Sequence, residues 1–418
     1  MTEIKPFKAV HYNPEKIHDF SHVVCPPYDV ISPPQQEAYH NASPYNFIHI
    51  ELAKDKAGDD KNQKYTRARE TFEHWLKDGV LIQDEKPCIY YYRQEYKIQG
   101  ERHSRMGFIS VMKLESGGKI FPHENTHASP KEDRFKLLSS VGANLSPIFV
   151  CFSDRERRVE KIFVTHVSLT KPFISVTDQD GVKHMVWRLD DPAYINEIVG
   201  TLSHQTLFIA DGHHRYEVAQ EYQRAKISRM EKTTGQEPFN YVMTYFTNID
   251  SRDLKIFPLH RLVHRISGSL NFLEDHFRTD RIKSRQELLI LLAKAGQNEH
   301  AFGLYTKEGI VLLRLKNKAL IDKFIKDGSK EFRRLDATIL KYFILDKLGV
   351  KSEEITYTKD INEVIANVDA GDAQAGFILN PVKIPQLKAV ALNGERMPPK
   401  TTYFYPKLLS GLTVHRVV

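Results

Sequence analysis

The stretch from Leu207 to Arg215 constrains the fold of this chain more than any other, because it joins two kinds of structure within a few residues. An apolar run precedes Asp211 and Gly212, and apolar or aromatic side chains then recur at helical spacing. This pattern predicts a buried strand that turns directly into a helix. We expect the Asp211 carboxylate to cap that helix, and we expect Gly212 to let the backbone turn sharply and a ligand approach closely.

Three basic residues open the predicted helix: His213, His214 and Arg215. A helix start carries unpaired N–H groups and the positive end of the helix dipole, so it attracts anions. The Arg215 guanidinium can also hold a phosphate through two parallel hydrogen bonds. The stretch therefore predicts a phosphate site without a P-loop lysine. The alternatives are an ordinary Asp-Gly turn with a solvated helix start and, less well supported because adjacent histidines point in different directions, a zinc site.

A second stretch rich in titratable side chains precedes this motif. Lys131 and Arg134 are three residues apart, which makes them neighbours on a helix and able to meet a nucleotide phosphate. Glu124 suits a Mg²⁺ ion or a substrate amine. His123 and His127 have the spacing of half a metal site, but flanking prolines predict a loop here, so we expect no metal centre. The alternative for the whole stretch is a hydrated loop ahead of the next helix.

Two groups of polar residues follow later in the chain. Lys400 can neutralise phosphate charge, and the hydroxyls of Thr401 and Thr402 can hydrogen-bond a phosphate. If this segment returns to the central motif, the two domains form one cleft. A second group of basic residues follows an apolar run and comprises His260, Arg261 and His264. These residues either border the same site or lie on the surface without a binding role.

Three acids are candidates for orienting a nucleophile and accepting its proton in phosphoryl transfer: Asp29, Glu124 and Asp211. Asp29 follows two prolines that stiffen the backbone, so its carboxylate can be held in place without an ordering cost. The capping role expected of Asp211 occupies its oxygens with backbone donors. We therefore predict Asp29 as the base, with Glu124 second. The alternative is that Asp29 only stabilises its own turn.

The central motif Asp211–Arg215 resembles the signature of the ParB/sulfiredoxin superfamily, and especially its free serine kinase branch. Free serine kinase carries a stretch similar to Pro399–Thr402 near its own C-terminus. The chain as a whole resembles an uncharacterised prokaryotic family of unknown function that shares the Asp-Gly-His-His-Arg motif. The segments that carry this wider resemblance are Cys25–Ile31, His123–Thr126, Asn144–Phe149, Asp211–Arg215 and Met397–Thr402.

The resemblance implies an α+β fold. It implies a ParB/sulfiredoxin-like mixed, nucleotide-binding domain over residues 1–265, with a β-rich insertion around residues 61–190. A C-terminal α/β domain over residues 266–418 is expected to close the cleft. The length of 418 residues by itself predicts two or three domains, and the alternation of strand-like and helix-like segments predicts α+β or α/β.

Local hydrophobic patterns predict individual elements. Apolar runs predict a strand at Phe47–Leu52, and alternating runs predict hairpins within Cys88–Leu114 and Phe173–Arg188. Tyr65–Lys77 has the spacing of an amphipathic helix, and Gly79 is placed to end it.

The resemblance also implies a small-molecule phosphotransferase, which is a nucleotide-dependent kinase that acts on free serine or a related small hydroxy-amino acid. ADP or ATP is the expected phosphate donor, and Mg²⁺ is the expected helper ion. The alternative is a non-catalytic nucleotide-binding regulatory protein or a ParB-like DNA-associated protein, although the sequence has neither a helix-turn-helix pattern nor a basic stripe. Thiol chemistry of the sulfiredoxin type is rejected unless Cys25 or Cys151 folds over the site, because His213 stands where that branch has its cysteine.

Composition restricts the partners further. The net charge is +7, but 60 basic and 53 acidic residues are interspersed, which argues against a nucleic-acid groove and suits a small anionic ligand. Three widely spaced cysteines predict free thiols in a reducing compartment. The first residues lack an apolar signal core and no stretch is long enough to span a bilayer, so we expect a cytoplasmic protein without membrane contact. The sequence leaves the oligomeric state open.

Overall fold

A computed structural model describes residues 2–114, 119–125 and 128–418. The chain forms two compact units, which we call unit 1 and unit 2. Unit 1 comprises residues 1–121, 126–254 and 406–418, and unit 2 comprises residues 122–125 and 255–405. Each unit is therefore assembled from separate stretches of sequence. The division into domains 1–265 and 266–418, with an insertion around 61–190, stays a prediction.

The strands and helices are numbered along the chain. The strands are β1 (Ile4–Lys5), β2 (Val10–Tyr12), β3 (Leu81–Gln83), β4 (Ile89–Ile98), β5 (Glu101–Lys113), β6 (Ile120–Pro122), β7 (Ala143–Asn144), β8 (Ile148–Phe152), β9 (Ile174–Thr177), β10 (Lys183–Leu189), β11 (Leu207–Asp211), β12 (Tyr241–Asn248), β13 (Lys255–Phe257), β14 (His260–Val263), β15 (Phe277–Ile282), β16 (Ala301–Thr306), β17 (Gly309–Leu315), β18 (Ile355–Thr358), β19 (Ala375–Ile378), β20 (Tyr403–Tyr405) and β21 (His415–Arg416). The helices are α1 (Pro33–Ala42), α2 (Ile48–Glu51), α3 (Gln63–Lys77), α4 (Ala128–Val141), α5 (Arg158–Leu169), α6 (Pro192–Leu202), α7 (His213–Ile227), α8 (Phe272–His276), α9 (Arg285–Ala295), α10 (Ala319–Phe324), α11 (Lys330–Arg333), α12 (Asp336–Thr338), α13 (Ile361–Ala370) and α14 (Ile384–Leu392). A π-helical segment covers Ile339–Leu345, and 3₁₀ turns cover Phe20–His22, Tyr28–Val30, Pro238–Asn240 and Ser352–Glu354.

The main sheet of unit 1 has the strand order β6-β11-β8-β12-β5-β4-β10-β9, and β1 pairs with β5. Both predicted hairpins are confirmed. The hairpin β4–β5 turns at Gln99 and Gly100, which both have positive φ, as a tight two-residue turn requires. The hairpin β9–β10 turns at Gly181, which also has positive φ. The parallel pair β8–β12 lies beside β11 and so fixes the strand that carries the central motif.

Helices cover the apolar face of this sheet and anchor β11. Side chains of α5, α6 and α7 pack with the strands in one buried cluster that includes Phe163, Ile198, Ile209 and Tyr216. The predicted amphipathic helix is confirmed as α3, and Gly79 has a positive φ just after its end. Because Ile209 is fully buried in the cluster, the end of β11 that follows it is held in place for the turn into α7.

The predicted strand at Phe47–Leu52 is wrong, because this segment forms the helix α2. The Asn46 side chain accepts a hydrogen bond from the backbone N–H of Ile48 and donates to the carbonyl oxygens of His22 and Val24. These bonds favour a helix start at this point. A short apolar run cannot by itself distinguish a buried strand from a buried helical turn.

Unit 2 differs from the α/β expectation. Among its described residues a sheet has the order β15-β17-β16-β19-β14-β18, and its pairs are antiparallel. Helices α9 and α13 contribute to one apolar cluster, and the π-helical segment contributes to another. The unit is therefore α+β, because alternation of strands and helices along a chain does not fix the direction of the strands.

No helix among the described residues is both long enough and apolar enough to cross a membrane.

Candidate functional site

The central motif forms the predicted junction of a strand and a helix. β11 ends at Asp211, Gly212 is left-handed with φ of 82°, and α7 begins at His213. The predicted cap is wrong, because Gly212 occupies the N-cap position and no side chain in the described chain caps the helix there. Asp211 is the last residue of β11 and precedes the turn at Gly212, so its carboxylate contacts side chains elsewhere. In the first helical turn His213 is buried and His214 is half-buried.

The Asp211 carboxylate contacts two cations. Its Oδ2 lies 3.2 Å from Nη2 of Arg215, and its Oδ1 lies 3.1 Å from Nζ of Lys407. Arg215 also donates from Nη1 to the carbonyl oxygen of Pro147 at 2.5 Å. A Cβ on Gly212 would lie 3.0 Å from Nη2 of Arg215, so the guanidinium packs directly against the glycine. Asp211 therefore positions Arg215, and Lys407 is a cation of this cluster that the sequence reasoning missed.

A cavity of about 440 Å³, open to solvent, lies in unit 1 and includes Arg215 in its wall. Its polar side chains are Glu51, Arg134, Asn144, Ser146 and Arg215. Its apolar side chains are Leu137, Leu138, Ala143, Leu145, Val218 and Val242. Two guanidinium groups beside an apolar wall suit a ligand that carries both a phosphate and an apolar ring.

Glu51 is the buried acid of this cavity, and the sequence reasoning missed it. Its side chain is 2% exposed, and its Oε2 has no hydrogen-bond partner among the described residues. Burial raises the pKa of Glu51, and the charges of Arg134 and Arg215 oppose that rise. A buried carboxyl of this kind in a cavity is a candidate proton acceptor. The available signal was a glutamate between the apolar residues Ile50 and Leu52, since glutamate is rarely buried without a partner.

Arg134 and Lys131 are neighbours on α4, as predicted, but they contact different partners. The Arg134 side chain is almost fully buried and donates from Nη1 to the carbonyl oxygen of Glu51 at 2.8 Å. Lys131 places its Nζ 3.2 Å from a carboxylate oxygen of Glu217. Arg134 lines the cavity and Lys131 does not. Of this predicted pair, the cavity therefore contains Arg134 alone.

Asp29 lies in the 3₁₀ turn Tyr28–Val30 and is exposed. The ring of Tyr28 lies 4.2 Å from the guanidinium carbon of Arg134, which is a cation–π distance. The negative charge of Asp29 contributes to the raised pKa of Glu51, after the larger effect of burial. Asp29 is therefore within electrostatic reach of the buried acid, although it does not line the cavity.

A second polar cluster lies in unit 2. Oε1 of Glu124 accepts hydrogen bonds from the backbone N–H of Thr402 at 2.8 Å and from its hydroxyl at 2.6 Å. Nε2 of His123, which is fully buried, lies 3.0 Å from the same hydroxyl oxygen. Two of the sequence motifs thus meet in one cluster. His127 and Thr126 lie outside the described residues.

Lys400 and Thr401 precede this threonine. The Thr401 side chain is 3% exposed, and its hydroxyl donates to the carbonyl oxygen of Pro398 at 2.5 Å. Lys400 is left-handed, with φ of 56°. Such a conformation costs a non-glycine residue about 1–2 kcal/mol, which marks a constrained segment. These residues belong to unit 2 and the central motif belongs to unit 1, so a pocket common to both stays a prediction.

Metal-binding and thiol groups are limited in the described part of the chain. There, no three histidine, cysteine, aspartate or glutamate side chains are grouped closely enough to hold a metal ion. Cys25, Cys88 and Cys151 are buried, and no disulfide joins them. Burial raises the pKa of Cys25 and raises that of Cys88 to about 11. The thiols of Cys25 and Cys88 therefore stay protonated at neutral pH, which disfavours thiolate chemistry.

Comparisons with known proteins give a family and distant structural likenesses. The sequence matches the family described as "Protein of unknown function (DUF1015)" over residues 4–338. No curated protein matches the chain.

Three solved structures illustrate those likenesses. A conserved hypothetical protein from Pyrococcus furiosus is 14% identical with a TM-score of 0.36, and the match covers 72% of this chain and 92% of that chain. Free serine kinase in complex with AMP is 14% identical with a TM-score of 0.35, covering 71% and 86%. SbnI with a C-terminal truncation, from Staphylococcus aureus, is 11% identical with a TM-score of 0.38, covering 72% and 85%. Likenesses this distant carry no assignment of residues or activity to this chain.

Proposed function

We propose that this chain, which belongs to the family described as "Protein of unknown function (DUF1015)", is a nucleotide-dependent small-molecule phosphotransferase. The donor is ADP or ATP with Mg²⁺, and the acceptor is the hydroxyl of free serine or a related small hydroxy-amino acid. The observation that carries the proposal is the cavity of unit 1, where Arg134 and Arg215 lie with the buried carboxyl of Glu51. The resemblance of the central motif to that of free serine kinase supports the choice of acceptor.

The two guanidinium groups support the phosphate-binding part of the proposal. Arg215 is held by Asp211 and by a backbone carbonyl, and Arg134 is held by the backbone of Glu51. Cations that are already fixed stabilise the charge that spreads over a transferring phosphoryl group without further reorganisation. The start of α7 next to Arg215 adds backbone N–H groups and the positive end of a helix dipole. The apolar wall of the cavity suits the base of the nucleotide.

Glu51 is the proposed base. The acceptor hydroxyl transfers its proton to Oε2 of Glu51 as its oxygen forms the new bond to phosphorus. The bond between that phosphorus and the leaving phosphate oxygen of the donor breaks in the same step. The raised pKa of Glu51 supports this role, because a base works best when its pKa is near the working pH.

Asp29 is proposed to help hold Mg²⁺. Proteins usually bind this ion through one or two carboxylates together with the phosphate oxygens of the substrate. Asp29 is exposed and within electrostatic reach of Glu51, so it can supply the one carboxylate of such a site beside the phosphates of the donor. Asp29 as the base, which the sequence predicts, is the alternative assignment.

The direct test of the proposed function is a transfer assay. Purified protein is incubated with ATP or ADP, Mg²⁺ and each of L-serine, L-threonine and L-homoserine, and the phosphorylated amino acid is measured by ³¹P NMR. A phosphomonoester of one of these amino acids is the expected product. Saturable nucleotide binding without any product would instead identify a nucleotide-binding regulatory protein.

A binding measurement tests the phosphate site separately. Arg215→Ala is expected to weaken nucleotide binding by roughly 1.5–3 kcal/mol, the range for a hydrogen bond to a charged group. Arg224→Ala is the matched control, because Arg224 lies on the same helix and is exposed. Calorimetric titration of both folded variants measures the difference. Equal affinities for the two variants would contradict the placement of the phosphate.

A further inference from the structure

Unit 2 contains a buried arginine that has no carboxylate partner at ion-pair distance. Arg261 lies on β14 and is 4% exposed. Its Nη1 donates to the carbonyl oxygen of Leu259, and its guanidinium carbon lies 5.0 Å from the centre of the Tyr357 ring. Among the described residues, no carboxylate oxygen lies within 4 Å of it, and its Nε and Nη2 make no hydrogen bond. His260 before it is also buried, whereas His264 is exposed.

This burial is costly for a charged group. Burial lowers the pKa of Arg261 to about 10, and the more distant charge of Glu124 only partly opposes that effect. The guanidinium is therefore still charged at neutral pH. A buried charge without an ion pair is strongly unfavourable, so an anion that binds beside it gains much of its affinity from that charge.

A cavity of about 310 Å³ lies against this arginine, and its wall also carries an acid. Asp336 lines the same cavity, together with the side chains of Asn380, Gln386 and Thr401. Oδ1 of Asp336 lies 2.7 Å from Nδ1 of His300, and Oδ2 makes no hydrogen bond among the described residues. The cavity thus has a cation and an anion in its wall that do not pair with each other.

We propose that this cavity binds a small α-amino acid as a zwitterion, with its carboxylate on Arg261 and its ammonium group on Asp336. Each end of such a ligand meets the opposite charge, and the ligand bridges two groups that no ion pair joins in the protein. Binding of the zwitterion stands on unit 2 alone and does not depend on the proposed function.

Four probes distinguish the two ends of the ligand. The full chain without nucleotide is titrated calorimetrically with L-serine, L-serinamide, 3-hydroxypropionate and inorganic phosphate. L-serine is expected to bind. L-serinamide, which lacks the carboxylate, and 3-hydroxypropionate, which lacks the ammonium group, are each expected to bind roughly 10- to 100-fold more weakly. The proposal would be overturned if inorganic phosphate bound as tightly as L-serine. It would also be overturned if L-serinamide bound as tightly as L-serine.

Two variants assign the site. Arg261→Met keeps the apolar stem and is expected to weaken L-serine binding by roughly 10- to 100-fold, with Arg265→Met, an exposed arginine of the same segment, as the control. Asp336→Asn is expected to reduce the preference for L-serine over 3-hydroxypropionate. Because Arg261 has no ion pair to lose, Arg261→Met is expected to melt at or above the temperature of the unliganded wild type. If Arg261→Met does not fold, the proposal is tested by titrating the wild type with the four probes and by titrating Asp336→Asn with L-serine and 3-hydroxypropionate.

The outcomes separate this proposal from the proposed function. A parallel titration with nucleotide reports on the cavity of unit 1, whose residues these variants do not change. Nucleotide binding without serine binding would overturn the amino-acid site alone. Serine binding without nucleotide binding would overturn the phosphotransferase and leave the amino-acid site in place.

Discussion

At the scale of single residues, the contacts of Asp211 and of Glu51 indicate different roles for these two acids. Asp211 and Glu51 both lie near Arg215, but Asp211 contacts a cation with each of its oxygens, whereas Glu51 keeps one oxygen without a partner among the described residues. A carboxylate between two cations is suited to positioning them. A buried carboxyl with an open oxygen is suited to accepting a proton.

The assignment of the base is therefore tested by paired amide variants. Glu51→Gln is expected to lower turnover by roughly 10²- to 10⁴-fold, the usual contribution of a general base, with little change in nucleotide affinity. Glu70→Gln, at an exposed position of α3, is the control. Turnover and binding are measured on the same preparations. If Asp29→Asn loses turnover while Glu51→Gln keeps it, Asp29 is the base.

At the scale of elements, the junction of β11 and α7 depends on one glycine. Gly212 has a positive φ, and its missing Cβ leaves room for the guanidinium of Arg215. The same residue thus permits the turn and sets the position of Arg215, for which we propose phosphate binding.

Gly212→Ala is expected to lower the stability of the fold and to weaken nucleotide binding. The positive φ costs alanine about 1–2 kcal/mol of folding free energy, and the new methyl group displaces Arg215. Gly235→Ala is the matched control, because Gly235 also has a positive φ but a Cβ there would meet nothing within 4 Å. Urea denaturation is expected to show similar losses for both variants, and nucleotide titration is expected to show weaker binding for Gly212→Ala alone. Equal nucleotide affinities would contradict the contact with Arg215.

At the scale of the whole molecule, two buried histidines predict loss of stability in acid. Burial lowers the pKa of His260, in unit 2, and of His415, in unit 1, to about 4 each, from the ordinary value of 6.5. Between these values the unfolded chain binds protons that the folded chain does not, so the free energy of unfolding falls as the pH falls from 6.5 towards 4. Each histidine contributes at most about 1.4 kcal/mol per pH unit.

Urea denaturation at several pH values measures this slope. Replacement of one histidine, as in His415→Gln, is expected to reduce the slope between pH 6.5 and 4 and to leave the shape of the profile above pH 7 unchanged. A slope equal to that of the wild type would mean that His415 does not titrate in this way. His22→Gln serves as the control, because that histidine is exposed.

The local part of this structure follows from the sequence by itself. The junction of a strand and a helix at residues 207–227, the hairpins β4–β5 and β9–β10, and the helix α3 are each specified by periodicity and turn residues within a short window. Short-range sterics and hydrogen bonding decide such elements, so their signals are local. The same reasoning failed at α2, because so short a segment does not let the spacing of apolar residues distinguish a helical turn from a strand.

Only the tertiary structure decided which side chains act together. Lys407 reaches Asp211 across 196 residues of sequence, and Arg134 reaches Glu51 across 83. The burial of Arg261 without an ion pair is likewise invisible in the sequence around it. No local rule determines such contacts, because they depend on how distant segments pack, and packing sets the desolvation that changes what a charged group can do.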